Sequence, residues 1–430
     1  MHPCIGWPVK RRFFGTDVPN HVLGQIAPSV SRLIQSVAAD MQTLDFLIQS
    51  LFRLEARIHA DAYRGYDPYD ALTSPLFRLP ILNQQKILRW GAQQVLKRLP
   101  LNVRPLLFIP KGYNPVTLGL CLQAYTALRC VFPDKVAFYD AQSAFCLAEL
   151  ERLQSRGYRG ACWGYDFDWE ARYARIPAYT PTVVATGFIT HALFEYYRAT
   201  QHAQALALCQ SATAFVRHDL QRTWFNGTFC FSYSPLDKQV VLNATLKGAR
   251  LLAQVYSVTK DPHLLEEAKK TVAFVVSQQQ PTGAWSYSRG DTRTWADNFH
   301  TGYVLDCLDE FIKCSGERAF LDSLQKGFAY YHAHFFAEDS DGLMPKYYDH
   351  ALYPIDSTAG AQSILTLLRF GRLDDALKVA NWMCKHMQRS DGHFAYQKHR
   401  YYLNAIPYMR WSSSWMYLAL ASLLRVSLAK

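Results

Sequence analysis

Three short segments of this 430-residue chain hold side chains able to move a proton. In Trp295-Ala296-Asp297-Asn298-Phe299-His300 a carboxylate and an imidazole stand three apart where a helix is expected to start, so they share one face. Asp297 suits the N-cap position, and His300 suits general acid or base work. In Tyr165-Asp166-Phe167-Asp168-Trp169 two carboxylates stand two apart. An extended loop points both the same way, as paired-carboxylate chemistry requires; the plainer alternative is capping, or pairing with Arg172 or Arg175. From His399 to Trp411 the chain is dense in Arg and Tyr. Arg400 and Arg410 offer bidentate donors for a carboxylate or phosphate, with Trp411 beside them and Tyr402 as a proton donor or acceptor. Asp356, before Ser357-Thr358, reads equally as a cap or a site carboxylate.

Around these residues lie loops of one recurring form: Gly, then alternating apolar or aromatic residues, then Tyr. They carry Trp163 and Tyr165, Tyr233, Trp285 and Tyr287, Tyr347 and Tyr348, and Tyr396, with Asn243 just inside the segment after Tyr233. The glycine permits a turn after a helix, and the alternation suits a short strand. Rings beside Asp, Asn and His suit pyranoses, whose C–H faces stack while their hydroxyls bond. The alternative is that each loop only staples neighbouring helices.

The elements that must position these loops are helices. Six amphipathic segments, starting near Asn83, Phe138, Ala203, Pro262, Ala319 and Leu373, alternate with six less charged ones starting near Pro115, Pro181, Val241, His300, Ser357 and Trp411. The repeat is too long for an ordinary solenoid unit because each pair carries a long loop. The last segment, Trp415-Met416-Tyr417-Leu418-Ala419-Leu420, is as apolar as the interior ones and needs a neighbour. Closing onto the first pair supplies it. The expected fold is all-α, an (α/α)6 toroid over residues 66–430 with an N-terminal helical extension over residues 1–65; a two-layer α-solenoid is the alternative. Inner helices of such a ring run parallel, so the aromatic loops would meet at one mouth with converging positive helix ends.

Net charge is +11, with the basic residues scattered apart from Lys10-Arg11-Arg12. That argues against nucleic acid and for an acidic sugar, sugar phosphate or anionic lipid carrier. The ten cysteines form no C-x-x-C pair and read as free thiols of a reducing compartment. No apolar run resembles a signal peptide or a membrane span. A cytoplasmic protein is expected, with peripheral contact at the inner membrane face as an option. Metal-ligand, P-loop, Rossmann and G-x-S-x-G patterns are missing from the sequence, so no metal and no cofactor is expected.

The segments "CWGYDFDW…TPTVVATGF", "CFSYSPLDKQVVLNATLKGARLLA", "GAWSYS…WADNFHTGYVLDCL", "MPKYYDHALYPIDS" and "IPYMRWSSSWMYLAL" resemble, in order, the VpsJ-like polysaccharide biosynthesis proteins over roughly Tyr66 to Leu424. The resemblance implies an α-toroid serving exopolysaccharide or O-antigen assembly. The segment ending Pro407…Arg410-Trp411 is also similar, with one residue of difference in spacing, to the helical domain of glucuronyl C5-epimerases. The combined expectation is a carbohydrate-active enzyme acting on an acidic or lipid-linked glycan. Epimerase- or lyase-type proton abstraction would use His300 or Tyr402 with Arg400 and Arg410; hydrolysis would use Asp168 and Asp297. The alternative is a non-catalytic glycan-binding or scaffolding protein working beside other glycan-assembly enzymes.

Overall fold

A computed structural model describes the backbone of residues 28–428 except Tyr173, and side chains from Met41 onwards. Cys4 and Lys10-Arg11-Arg12, in the expected N-terminal extension, lie outside the described residues. The described residues before Leu47 fall in one unit and those from Leu47 onwards in a second, which contains the ring.

After α1 (Pro28–Ala60), α2 (Pro80–Gln84) and α3 (Lys86–Arg98), the chain alternates between two layers. The helices in order are α4 (Pro115–Leu128), α5 (Val136–Arg152), α6 (Val183–Thr200), α7 (Ala203–His218), α8 (Leu242–Thr259), α9 (Pro262–Val276), α10 (Asn298–Ser315), α11 (Leu321–His334), α12 (Ser357–Arg369), α13 (Leu373–Met387) and α14 (Ser414–Leu428). Even-numbered helices from α4 to α14 form the inner layer. Each packs on the next, and α14 packs on α4, so the ring is closed. These helices are buried on nearly every side, as their Ala-, Gly-, Ser- and Thr-rich sequences permit. Odd-numbered helices from α5 to α13 each bury one stripe and expose a charged face. This is the (α/α)6 toroid.

One pairing differs from the sequence reading. The outer helix beside α4 and α14 is not the segment near Asn83 but the second half of α1, Leu47–Ala60. Its Leu47, Leu51, Leu54 and Ile58 are fully buried, a helical stripe that α3 cannot match, since α3 buries only Arg89, Gln93 and Leu96. Glu55 accepts a 2.6 Å hydrogen bond from Tyr417 of α14, and His59 lies 3.2 Å from the Tyr125 hydroxyl of α4.

Two recurrences fix the loops. In four of the loops the glycine lies where the loop crosses the backbone of the next outer helix. A Cβ on Gly283 would come within 2.4 Å of the Lys326 carbonyl, and one on Gly392 within 2.3 Å of the Arg53 carbonyl. Gly160 and Gly342 make the same approach to α7 and α13. The contact at Arg53 marks Leu47–Ala60 as one more outer helix of the series. The second recurrence is a backbone bond from the first residue of an inner helix to the Tyr of the following loop. Val183 donates to Tyr233, Leu242 to Tyr287, Asn298 to Tyr347 and Ser357 to Tyr396, at 2.9, 3.2, 2.9 and 3.1 Å. Orphan N–H groups of the helix ends thereby hold the four loops in register, and Tyr233, Tyr287 and Tyr347 of these reach the mouth. Asn114, Thr182, Asp297 and Asp356 cap four of the inner helices by side chain.

Among the described residues every cysteine is free and most are buried. No described helix is long and apolar enough to cross a membrane.

Candidate active site at the mouth of the toroid

The loops leading into the inner helices line a cavity of about 760 Å³. Of the residues singled out in the sequence, Tyr165, Tyr233, Asn243, Asp297, His300, Tyr287, Tyr347, Tyr348, Arg410 and Trp411 line it. Its floor is a triad of rings from three inner helices. Phe188 of α6, Tyr303 of α10 and Trp415 of α14 lie 5.0 to 5.5 Å apart, centre to centre. The lining carries six cationic side chains and two carboxylates.

The proton-transfer candidate is the Asp297–His300 pair. Asp297 caps α10 by accepting the His300 backbone N–H at 3.0 Å, and its other oxygen meets His300 Nδ1 at 2.7 Å and Trp295 Nε1 at 3.1 Å. A carboxylate receiving three donors is an acceptor, so Nδ1 carries the proton and Nε2 of the neutral ring keeps its lone pair. Nε2 has no protein partner among the described residues. Tyr287 packs edge-on to the imidazole at 4.6 Å and stacks on Trp295, fixing the ring. Beside it Asn243, nearly fully buried, offers an Nδ2 with no hydrogen-bond partner. A buried unpaired donor in a cavity is a place for a ligand oxygen.

Several expected site residues stand elsewhere. Asp168 does not line the cavity: it accepts the Ala178 N–H at 2.8 Å and faces Arg175 at 3.5 Å, the plainer of its two readings. Asp166 is turned towards α4, where Asn114 donates to it at 2.6 Å and burial raises its pKa to about 6. Trp163 and Trp285 are staples, donating to the Leu150 and Val275 carbonyls of their own outer helices at 2.7 and 3.0 Å. Tyr396 is turned into the core against Tyr408. Arg400 and Tyr402 are on an exposed hairpin away from the cavity, Tyr402 stacked on His399 at 4.4 Å. Asp356 is fully buried behind Trp411, capping α12 and accepting from Gln397 at 2.9 Å; burial raises its pKa to about 6. Arg410 does face the cavity, on a π-helical turn over Met409–Ser413, but its Nε and Nη2 bind Asp67, at 2.6 and 3.0 Å. Its charge is therefore compensated, and it acts as a brace beneath the Tyr165 ring, 4.9 Å away.

The sequence reading missed the rim. Helix α3 contributes Lys86, Ile87, Trp90, Gln94, Lys97 and Arg98 to the cavity. It is fastened by a buried pair, Arg89 to Glu170 at 2.6 Å, and by Gln93, which accepts the Glu170 N–H at 2.9 Å. The i, i+4, i+8 spacing of Lys86, Trp90 and Gln94 was the available signal.

A second cavity of about 390 Å³ opens at the opposite end of the bore. Phe188, Tyr303 and Trp415 line both cavities and stand between them. On the rear side Lys247 Nζ lies 3.8 Å from the Phe188 ring centre and 3.9 Å from that of Tyr303, with no hydrogen-bond partner. Gly187 makes room for it, since a Cβ there would meet Lys247 Cβ at 2.5 Å. Nearby His191, Glu195 and Glu310 converge within 4.8 Å. Arg198 already bridges both glutamates, at 3.0 and 3.5 Å, and Arg369 binds Glu310 at 3.1 Å, so guanidinium groups supply the positive charge there.

No protein-family model and no curated protein matches this chain. Solved structures do. Cellobiose 2-epimerase from Bacillus thermoamylovorans B4167 is similar at a TM-score of 0.56 and 13% identity, over 74% of this chain and 88% of that one. An α-mannanase of glycoside hydrolase family 76 from Bacteroides thetaiotaomicron gives 0.54 and 15%, over 74% and 88%. A D-mannose isomerase gives 0.54 and 13%, over 73% and 87%. These likenesses establish the toroid as the shared fold.

Proposed function

We propose that the mouth cavity is the active site of a carbohydrate-active enzyme that works on an acidic or lipid-linked glycan by epimerase- or lyase-type proton abstraction. The observation that carries this reading is His300, held by Asp297 with Nε2 towards an aromatic-walled cavity. Nε2 takes the proton from the carbon next to a sugar carboxylate, and the C–H electron pair moves into that carboxylate. Asn243 and the rim cations stabilise the charge that develops. Return of a proton from water to the other face gives the epimer; in elimination the neighbouring C–O bond breaks, its oxygen takes the proton held on Nε2, and the unsaturated product forms. Hydrolysis needs two free carboxylates, whereas Asp297 is committed to three donors and Glu170 to Arg89. That sugar epimerases, an isomerase and a mannanase share this fold agrees with a sugar substrate. The resemblance to polysaccharide biosynthesis proteins suggests surface glycan assembly as the setting.

The test is turnover of uronate-containing oligosaccharides in deuterium oxide. Deuterium at the carbon beside the carboxylate (epimerisation) or an unsaturated sugar end (elimination) is expected, with His300→Gln lowering the rate about 10²- to 10⁴-fold. A new reducing end with neither deuterium incorporation nor an unsaturated sugar end, or full activity in His300→Gln, overturns the assignment.

A further inference from the structure

The strip from Leu76 to Phe108 is unlike the rest of the surface. Of the 22 large hydrophobic side chains exposed among the described residues, 10 fall within it. Outside the cavity lining, Ile81, Val95, Leu101, Leu106 and Phe108 are each 66 to 77% exposed. No Asp or Glu occurs between Asp70 and Asp134, whereas Arg78, Lys86 and Arg98 are exposed on the same strip. Scattered exposed apolar residues are ordinary; this concentration in one short segment is not.

The strip is displayed by design of the underlying contacts. Arg104 is fully buried, with its Nε 2.8 Å from Asp70 and its guanidinium over the Tyr408 ring. Ile109 is buried, and Ser74 Oγ donates to the Leu107 carbonyl at 2.7 Å. Between these anchors Leu106 and Phe108 point outwards, Phe108 at a φ of 54°, a left-handed conformation that a bulky residue seldom adopts. The apolar tips are thus held out from the protein rather than left loose. Helix α3 joins the strip to the site: one face lines the cavity, another carries Leu88 and Val95 into solvent, and the third is buried.

We propose that Leu76–Phe108 is a docking face for an anionic lipid bilayer, set beside the mouth so that a membrane-borne glycan reaches the cavity from the membrane side. Charge complementarity selects this occupant: cations interspersed with protruding Leu, Ile and Phe, and no carboxylate, match the boundary between acidic headgroups and acyl chains. The reading of the mouth as a glycan site supplies the purpose of this face, but binding to vesicles does not depend on it.

The test uses the full chain and flotation with phosphatidylcholine vesicles, with and without phosphatidylglycerol. Binding to the anionic vesicles, weakened by salt, is expected. The double variant Leu106→Glu/Phe108→Glu should lower it about tenfold or more, and Arg78→Glu should lower it by a smaller factor. These side chains are exposed, so melting temperature should stay unchanged and certify the fold. Three results overturn the proposal: no binding by the unmodified chain, equal binding by the variants, or a concentration-dependent dimer that the same variants abolish, which would make the face a protein interface. Turnover of a soluble acidic oligosaccharide separates this from the reading of the mouth. Turnover without vesicle binding refutes the docking face alone, and vesicle binding without turnover refutes the mouth alone.

Discussion

His300 and Lys247 show how little of a residue's role its type decides. His300 depends on Asp297: removing the carboxylate frees the ring to rotate and exchange tautomers. Asp297→Asn should therefore reduce turnover by at least about tenfold while leaving substrate binding nearly unchanged, read as kcat against KM. Lys247 is a cost to the fold. Burial lowers its pKa from 10.5 to about 7. Between those values the unfolded chain holds a proton that the folded chain lacks, so this group makes stability rise with pH across that window. Below about pH 7 its full penalty applies. Lys247→Met should stabilise the protein by ~1–4 kcal/mol at pH 6 and by less at pH 9, measured by urea unfolding at both. In the sequence, Asp297 and His300 were legible because their partnership is local, three residues along one helix. Arg410 was legible as a cavity residue but not as a brace, because Asp67 lies 343 positions away. Asp168 and Asp166 stood two apart as expected, yet their partners Ala178 and Asn114 belong to other elements, which no spacing rule reveals.

At the scale of elements, the alternation of charged and apolar helices identified the layers, and the Gly-to-Tyr pattern located the mouth loops. Trp163 and Trp285 were ambiguous because a ring that staples and a ring that stacks on sugar have the same sequence signature. Helix α3 was assigned to the ring because its amphipathic pattern resembles that of an outer helix; its polar buried face, Arg89 and Gln93, belongs instead to a clasp on Glu170. Arg89→Ala would leave Glu170 buried without its partner, at a cost of about 3–5 kcal/mol to that clasp. Since α3 stands outside the two-layer ring, the expected result is local: faster amide hydrogen exchange in Lys86–Arg98, with protection of α8 and α10 retained.

For the whole molecule, closure joins sequence-distant parts. Leu47–Ala60 touches the C-terminal segments through Tyr417 on Glu55, Arg57 on Asp391 at 2.8 Å and Gln388 on the Ser50 carbonyl at 2.8 Å. Leu54→Ala should cost about 2–5 kcal/mol in urea unfolding, a core-sized penalty for a residue outside the inner ring. The three stacked rings at mid-bore carry a further consequence. Phe188, Tyr303 and Trp415, backed by Lys247, leave the toroid a dead-end vessel rather than a tunnel. A polymer cannot be threaded through it, so any ligand that reaches Asn243 and His300 must enter and leave by the same mouth.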